Sequence, residues 1–249
     1  RRAEATERAE AAVRRATEAG ASTRASALSI SGSLLLFSDP RRAAERLDAA
    51  VLLASAAGQD RLLAETATSL MYIQATVLRD PEAAERSHRV ASAALTRLGG
   101  DLRLELSLES ARADIATARG DPRQAVSILE DVWPRAEASD SAISEARVLH
   151  RLARARLQTT DPRWVPAAID ELRRVVELET TALGPSHPRL AETYTTLGTA
   201  HERAGDWVRA KQHWTRGLAI AETAGGPPEG PPAARPRNPA LARMPPAHR

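Results

Sequence analysis

Cysteine is absent from this sequence, so neither a disulfide framework nor a thiolate-held metal is available to it, which fits a reducing compartment. Aromatic residues are scarce as well, at 3%, with Phe37 the single phenylalanine. A core must therefore be knitted from alanine and leucine on closely approaching elements. Lysine occurs once, as Lys211, which excludes a Walker loop, where an ammonium group grips phosphate. Long hydrophobic runs are missing too. The most apolar stretch, Ala27 to Phe37, has 11 residues and is broken by serines, too short to span a bilayer. The chain opens Arg1-Arg2 without a signal-peptide pattern, and a cytoplasmic location without membrane insertion is the expectation.

What the sequence does have is a regular ladder of aspartates. Asp39, Asp80, Asp121, Asp161 and Asp206 stand 41, 41, 40 and 45 residues apart, and the first four precede Pro40, Pro81, Pro122 and Pro162. Asp-Pro starts a helix for two reasons. The carboxylate accepts from unpaired N–H groups of the first turn, and proline at the first helical position lacks only a donor that would be idle there. A fixed period of this length signals a repeat array. Between the rungs lie Ser22, Asp60, Asp101, Asp140 and Ser186, also capping types, and together the two ladders cut the chain every 19 to 25 residues. Each piece, rich in Ala, Leu, Glu and Arg, predicts a helix of roughly 15–18 residues and a short turn. Strand and hairpin signals are lacking. The expected fold is all-α, built of helical hairpins.

Charge is distributed unevenly. The pI is 10.1, yet the net charge is only +3. Arg235, Arg237, Arg243 and Arg249 against Glu229 place that whole excess in residues 225–249, so the body is neutral and lacks the broad basic face that nucleic acid requires. The same 25 residues hold eight of the sixteen prolines and no apolar period, and predict a disordered tail. Its spacings Pro228 to Pro231 and Pro236 to Pro239 match a PxxP pattern.

The last unit identifies the repeat. Residues 191–222, AETYTTLGTAHERAGDWVRAKQHWTRGLAIAE, closely resemble a tetratricopeptide repeat. Tyr194 stands at the large aromatic of that family, Leu197-Gly198 at its buried Leu-Gly pair, Gly205-Asp206-Trp207 at the turn, Ala210 at the small contact and Trp214 at the second aromatic. The preceding LGPSHPRLAETY, residues 183–194, resembles the linker of the longer repeats of kinesin light chain and many bacterial proteins. Earlier units carry the pattern in weaker form. Ala43, Ala84 and Ala125 stand four residues after their Asp, as Ala210 does, and Leu47 and Leu129 stand eight after, as Trp214 does. The unit at Asp161 needs about three inserted residues to bring Ala168 and Leu172 into register, and in the unit at Asp121 Arg112 falls where a core Leu is expected.

The resemblance implies a right-handed superhelical solenoid of about five helical hairpins over residues 22–224. Residues 1–19 would be the second helix of a truncated preceding repeat, and residues 225–249 the tail. A narrower resemblance, carried by RLGGDLRLELSLESARADIATARGD and LGPSHPRLAETYTTLG, is to the C-terminal repeat region of myxobacterial serine/threonine protein kinases. It implies the regulatory half of such a protein, the alternative being the sensing arm of a bacterial transcription activator. Catalytic residues are not expected in this chain. Phe37 lies between Leu36 and Ser38 rather than in Asp-Phe-Gly, His88-Arg89-Val90 lacks a catalytic Asp, and no G-x-S-x-G elbow occurs. His201 and His213 lie twelve apart on two predicted helices, which reads as packing rather than a metal site, and no cofactor is implied.

The candidate site is a surface. In tetratricopeptide arrays the first helices of successive hairpins line a concave groove that takes a protein or peptide. By the Asp ladder, Arg147, His150, Arg151 and Arg154 face that groove, with Ser107, Ser110 and Asp114 in the neighbouring unit and Thr66, Ser69, Leu70 and Ile73 in the second. An arginine cluster in a concavity suits a carboxylate or phosphate. The Asn and Lys of a chaperone-type carboxylate clamp are missing, since Glu192 and Thr196 stand in the matching places.

Overall fold

In the computed structural model, residues 2–16, 20–36 and 39–225 are described, and every regular element among them is helical. The helices are α1 (Arg2–Arg15), α2 (Ala21–Leu35), α3 (Pro40–Ala56), α4 (Asp60–Thr76), α5 (Pro81–Arg97), α6 (Leu102–Ala118), α7 (Pro122–Glu137), α8 (Ala142–Gln158), α9 (Val165–Leu183), α10 (Arg189–Arg203) and α11 (Trp207–Gly225). Beyond Gly225 the proline- and arginine-rich tail lies outside the described residues, as do residues 17–19 of the N-terminal segment.

All five ladder aspartates cap the helix or turn that follows. Their Oδ1 atoms accept from the backbone N–H of Arg42 (3.1 Å), Ala83 (2.9 Å), Gln124 (2.9 Å), Arg163 (3.0 Å) and Arg209 (3.0 Å). The three residues that the unit at Asp161 needed form a 3₁₀ turn, Pro162–Trp164, inserted ahead of α9. That restores register, and Ala168 and Leu172 are fully buried.

The second ladder does not behave as expected. Only Asp101 caps, accepting from Leu104 N–H at 3.0 Å. At α8 the cap is Ser141 rather than Asp140, with its Oγ 3.2 Å from Ser144 N. Helix α4 starts at Asp60 itself, and that carboxylate binds Arg97 at the far end of α5 (2.6 Å), closing the hairpin. Gly20 precedes α2 and Pro188 precedes α10, neither with a side-chain cap. Ser22 and Ser186 are thus not caps. The His187 Nδ1 accepts from Arg189 N–H at 3.3 Å in the turn that Ser186 occupies.

A backbone demand recurs just before the aspartates. Gly120 and Gly205 have φ of 83° and 78°, and the equivalent residues Arg79 and Thr160 take 56° and 59°. The turn between paired helices needs one left-handed residue there, a conformation that suits glycine and strains a β-branched side chain.

The chain divides into two compact units at residues 128/129. In the first, α2 packs on α3, α4 on α5 and α5 on α6, while α4 also meets α2 and α6. In the second, α8 packs on α9, α9 on α10, α10 on α11, and α8 touches α10. The cores are alanine-rich as composition requires. Ala43, Ala84, Ala125 and Ala210 are all 0% exposed, and Leu47, Leu129 and Trp214 fill the space beside them. Close approach rests on glycine in two hairpins. A Cβ on Gly32 would stand 2.8 Å from Leu47 Cγ, and one on Gly198 would stand 2.4 Å from the Trp214 indole.

Candidate partner-binding face

Helix α8 carries Arg147, His150, Arg151 and Arg154 at spacings of three and four, which puts them on one face. The three arginines are half-exposed, while His150 is buried. That face adjoins α10. His150 Nε2 lies 3.2 Å from Thr196 Oγ1, and Arg154 lies 3.8 Å from Glu192. Burial first, then the charge of Arg154, lowers the His150 pKa to about 3 against the opposing pull of Glu179, so its imidazole is neutral. The positive character of the face therefore comes from guanidinium groups.

Acidic residues hold the helices behind this face. Glu145 accepts from Arg174 Nε on α9 at 3.2 Å. Glu179, 1% exposed, accepts from Arg189 Nε at 3.0 Å and from Thr193 Oγ1 at 2.8 Å, tying the end of α9 to the start of α10. Glu192 and Thr196 stand fourteen and ten residues before Asp206, as Arg147 and Arg151 stand before Asp161. That shared offset is the sequence signal that α8 and α10 are successive first helices.

The first unit treats the equivalent positions differently. Asp114 on α6 is 7% exposed, and Ser110 and Thr66 are fully buried. Thr66 Oγ1 shares a hydrogen bond of 2.8 Å with Ser29 Oγ of α2. Leu70 and Ile73 pack with Leu35, Ala43 and Leu47. Thr66, Leu70, Ile73 and Ser110, read as groove-facing, are thus core or interhelical residues. Small hydroxyl side chains let first helices approach until these positions close over. Long arginines on α8 keep their charged ends at the surface.

Other residues take structural places. His201 is 2% exposed and stacks on His213 (centroids 5.1 Å apart), which stacks in turn on Tyr194 (6.0 Å). Arg156 contacts Glu171 and Glu130 and lies 4.7 Å over the Trp164 ring. Burial pushes the Glu171 carboxyl up to about 7, against the opposing charge of Arg156. Among the described residues, no three His, Asp or Glu side chains are placed to hold a metal, and no helix is long and apolar enough to cross a membrane.

Residues 165–223, from α9 to α11, match the tetratricopeptide repeat family. No curated protein sequence matches the chain. Among solved structures, BtubC (BKLC) from P. vanneervenii is similar with a TM-score of 0.56 at 19% identity, over 92% of this chain and 93% of that one. A putative kinesin light chain with nearly identical TPR-like repeats from Podosopora anserina gives 0.53 at 18%, over 81% and 96%. A signal transduction ATPase with numerous domains and a tetratricopeptide repeat sensor, from Pyrococcus horikoshii, gives 0.52 at 12%, over 80% of this chain and 32% of that one. At these identities the likeness concerns the fold. Residues 165–223 are tetratricopeptide repeat sequence, and the described chain has the all-helical repeat fold of kinesin-light-chain-like tetratricopeptide proteins.

Proposed function

We propose that this chain is a non-catalytic interaction scaffold whose residues 22–224 act as five repeats. Its α8 face binds an acidic segment of a protein partner. The observation that carries this is the row of half-exposed Arg147, Arg151 and Arg154 on one helical face, with no competing cation from neutral His150. Planar guanidinium groups at helical spacing can take carboxylates in bidentate fashion along an extended peptide. In this reading the chain is the cytoplasmic regulatory region of a bacterial serine/threonine kinase. The alternative is the sensing arm of a bacterial transcription activator.

Two measurements test this. Capture of partners by the wild-type chain and by a variant with Arg147, Arg151 and Arg154 all changed to Ala should differ, with loss of the bound protein in the variant. Equal capture by a folded variant rejects the α8 face. The coding sequence upstream separates the two roles, since a kinase domain or a DNA-binding domain should stand there.

A further inference from the structure

One ion pair stands where neighbouring repeats carry small or apolar side chains. Five residues before and seven after the ladder aspartate, the second repeat has Ala75 and Ser87, and the third has Ala116 and Ile128. Counted past the inserted turn, the fourth repeat has Arg156 on α8 and Glu171 on α9 in those places, and they bind each other. The 3₁₀ turn that only this repeat inserts brings the Trp164 ring to 4.7 Å from the Arg156 guanidinium carbon. A second carboxylate, Glu130 of α7, takes the same guanidinium at 2.8 Å. All four residues lie within the second unit.

Two carboxylates thus share one cation, and they are not equally covered. The Glu130 side chain is 44% exposed, whereas those of Arg156 and Glu171 are 13% exposed. Glu171 Oε2 and Arg156 Nε are buried and have no hydrogen-bond partner among the described residues. An ionised carboxylate with one oxygen buried and undonated is costly, and the cost falls on the less hydrated of the two acids. Burial is the largest effect and raises the Glu171 carboxyl to about 7; Arg156 opposes it, and Glu130 and Asp170 add to it. The other charged groups around the cluster are engaged elsewhere. Asp170 meets Arg173 at 3.3 Å, Arg163 of the turn is held by Asp161 at 2.8 Å, and Arg203 of α10 donates to the Leu157 carbonyl.

We propose that Arg156, Glu171 and Glu130 form a proton-operated latch on the α8–α9 hairpin. With a proton on Glu171 the cluster is neutral, Arg156 balancing Glu130, and the hairpin is closed. When that proton passes to solvent, one negative charge in excess remains beside Trp164, and α9 loosens from α8 to admit water. The folded value stands above the ordinary one of 4.5, so this contribution to stability is complete below about 4.5 and lost as pH rises through about 7. The inference does not depend on what the α8 face binds.

The full chain with carboxyl-labelled glutamate, titrated by NMR from about pH 4 to about pH 9, tests the latch. Glu171 is expected to titrate near pH 7, together with the indole N–H signal of Trp164. Amide exchange in α8 and α9, corrected for its intrinsic pH dependence, should quicken about tenfold or more between about pH 5 and about pH 7. Glu171→Gln, an isostere of the protonated acid, should abolish both effects and hold the hairpin closed. Glu130→Gln should lower the Glu171 midpoint by removing a like charge. A Glu171 midpoint below about pH 5.5 overturns the proposal. So does an exchange profile in α8 and α9 that keeps its pH dependence in the Glu171→Gln chain.

Discussion

The Trp214 indole occupies the space where a side chain on Gly198 would stand, and its Nε1–H donates to Thr195 O at 3.2 Å. Helix α11 can approach α10 this closely only because Gly198 has no Cβ. Gly198→Ala should lower stability by about 1–3 kcal/mol through overpacking. Trp214→Ala should cost about 3–5 kcal/mol through the cavity left behind. The double variant should be more stable than the sum of the two losses implies, since the added methyl enters the vacated space. Chemical denaturation of the four chains measures this coupling, and strict additivity would refute the packing account.

Thr160 bears the strain that Gly120 and Gly205 avoid. A β-branched residue at φ 59° is in a region that costs on the order of 1 kcal/mol or more. Thr160→Gly should therefore raise the melting temperature, Arg79→Gly should raise it less, and Gly205→Ala should lower it by a comparable amount. Lower stability of Thr160→Gly would show that the Thr160 hydroxyl, bonded to Thr159 O at 2.6 Å, outweighs the backbone term.

Ser141, and not its neighbour Asp140, caps α8. Ser141→Ala should cost about 1 kcal/mol, as should Asp80→Ala or Asp121→Ala, while Asp140→Ala should be close to neutral. None of the three losses should alter partner capture, because the caps face the turns. A large effect of Asp140→Ala would move the helix start.

The stack of His201 on His213 makes the last hairpin acid-sensitive. Burial is the first cause lowering both pKa values from 6.5, and the charges of Arg173 and Arg209 reinforce it while Asp206 opposes it. A folded value below the unfolded one means that the unfolded chain takes up protons first. This contribution is present above the ordinary histidine pKa of about 6.5 and is lost as pH falls below it. Amide exchange in α10 and α11 should quicken between about pH 7.5 and about pH 5.5, and His201→Phe with His213→Phe should flatten that dependence. An unchanged pH profile in the double variant would assign the effect to other groups.

Much of the fold was legible because its signals are local. An aspartate one residue ahead of a helix caps it whatever lies beyond, and Ala43, Ala84, Ala125 and Ala210, each four residues after its aspartate, are all buried. The second ladder was less legible because capping is easily shifted. Asp140 and Ser141 are equally competent by type, and Asp60 is drawn instead to Arg97 across the hairpin. The candidate face was legible only in part. The helical spacing of Arg147, Arg151 and Arg154 follows from sequence, but the burial of His150, Thr66 and Ile73 depends on how near the adjoining helices lie.

Sequence alone determined the repeat and its helical hairpins, because period, capping chemistry and side-chain size act over a few residues. Tertiary structure decided which polar residues of the first helices are covered and which stay open, and that Glu179 joins α9 to α10. These outcomes turn on distances between helices far apart in sequence, which are set by the packing of whole elements rather than by any residue within them.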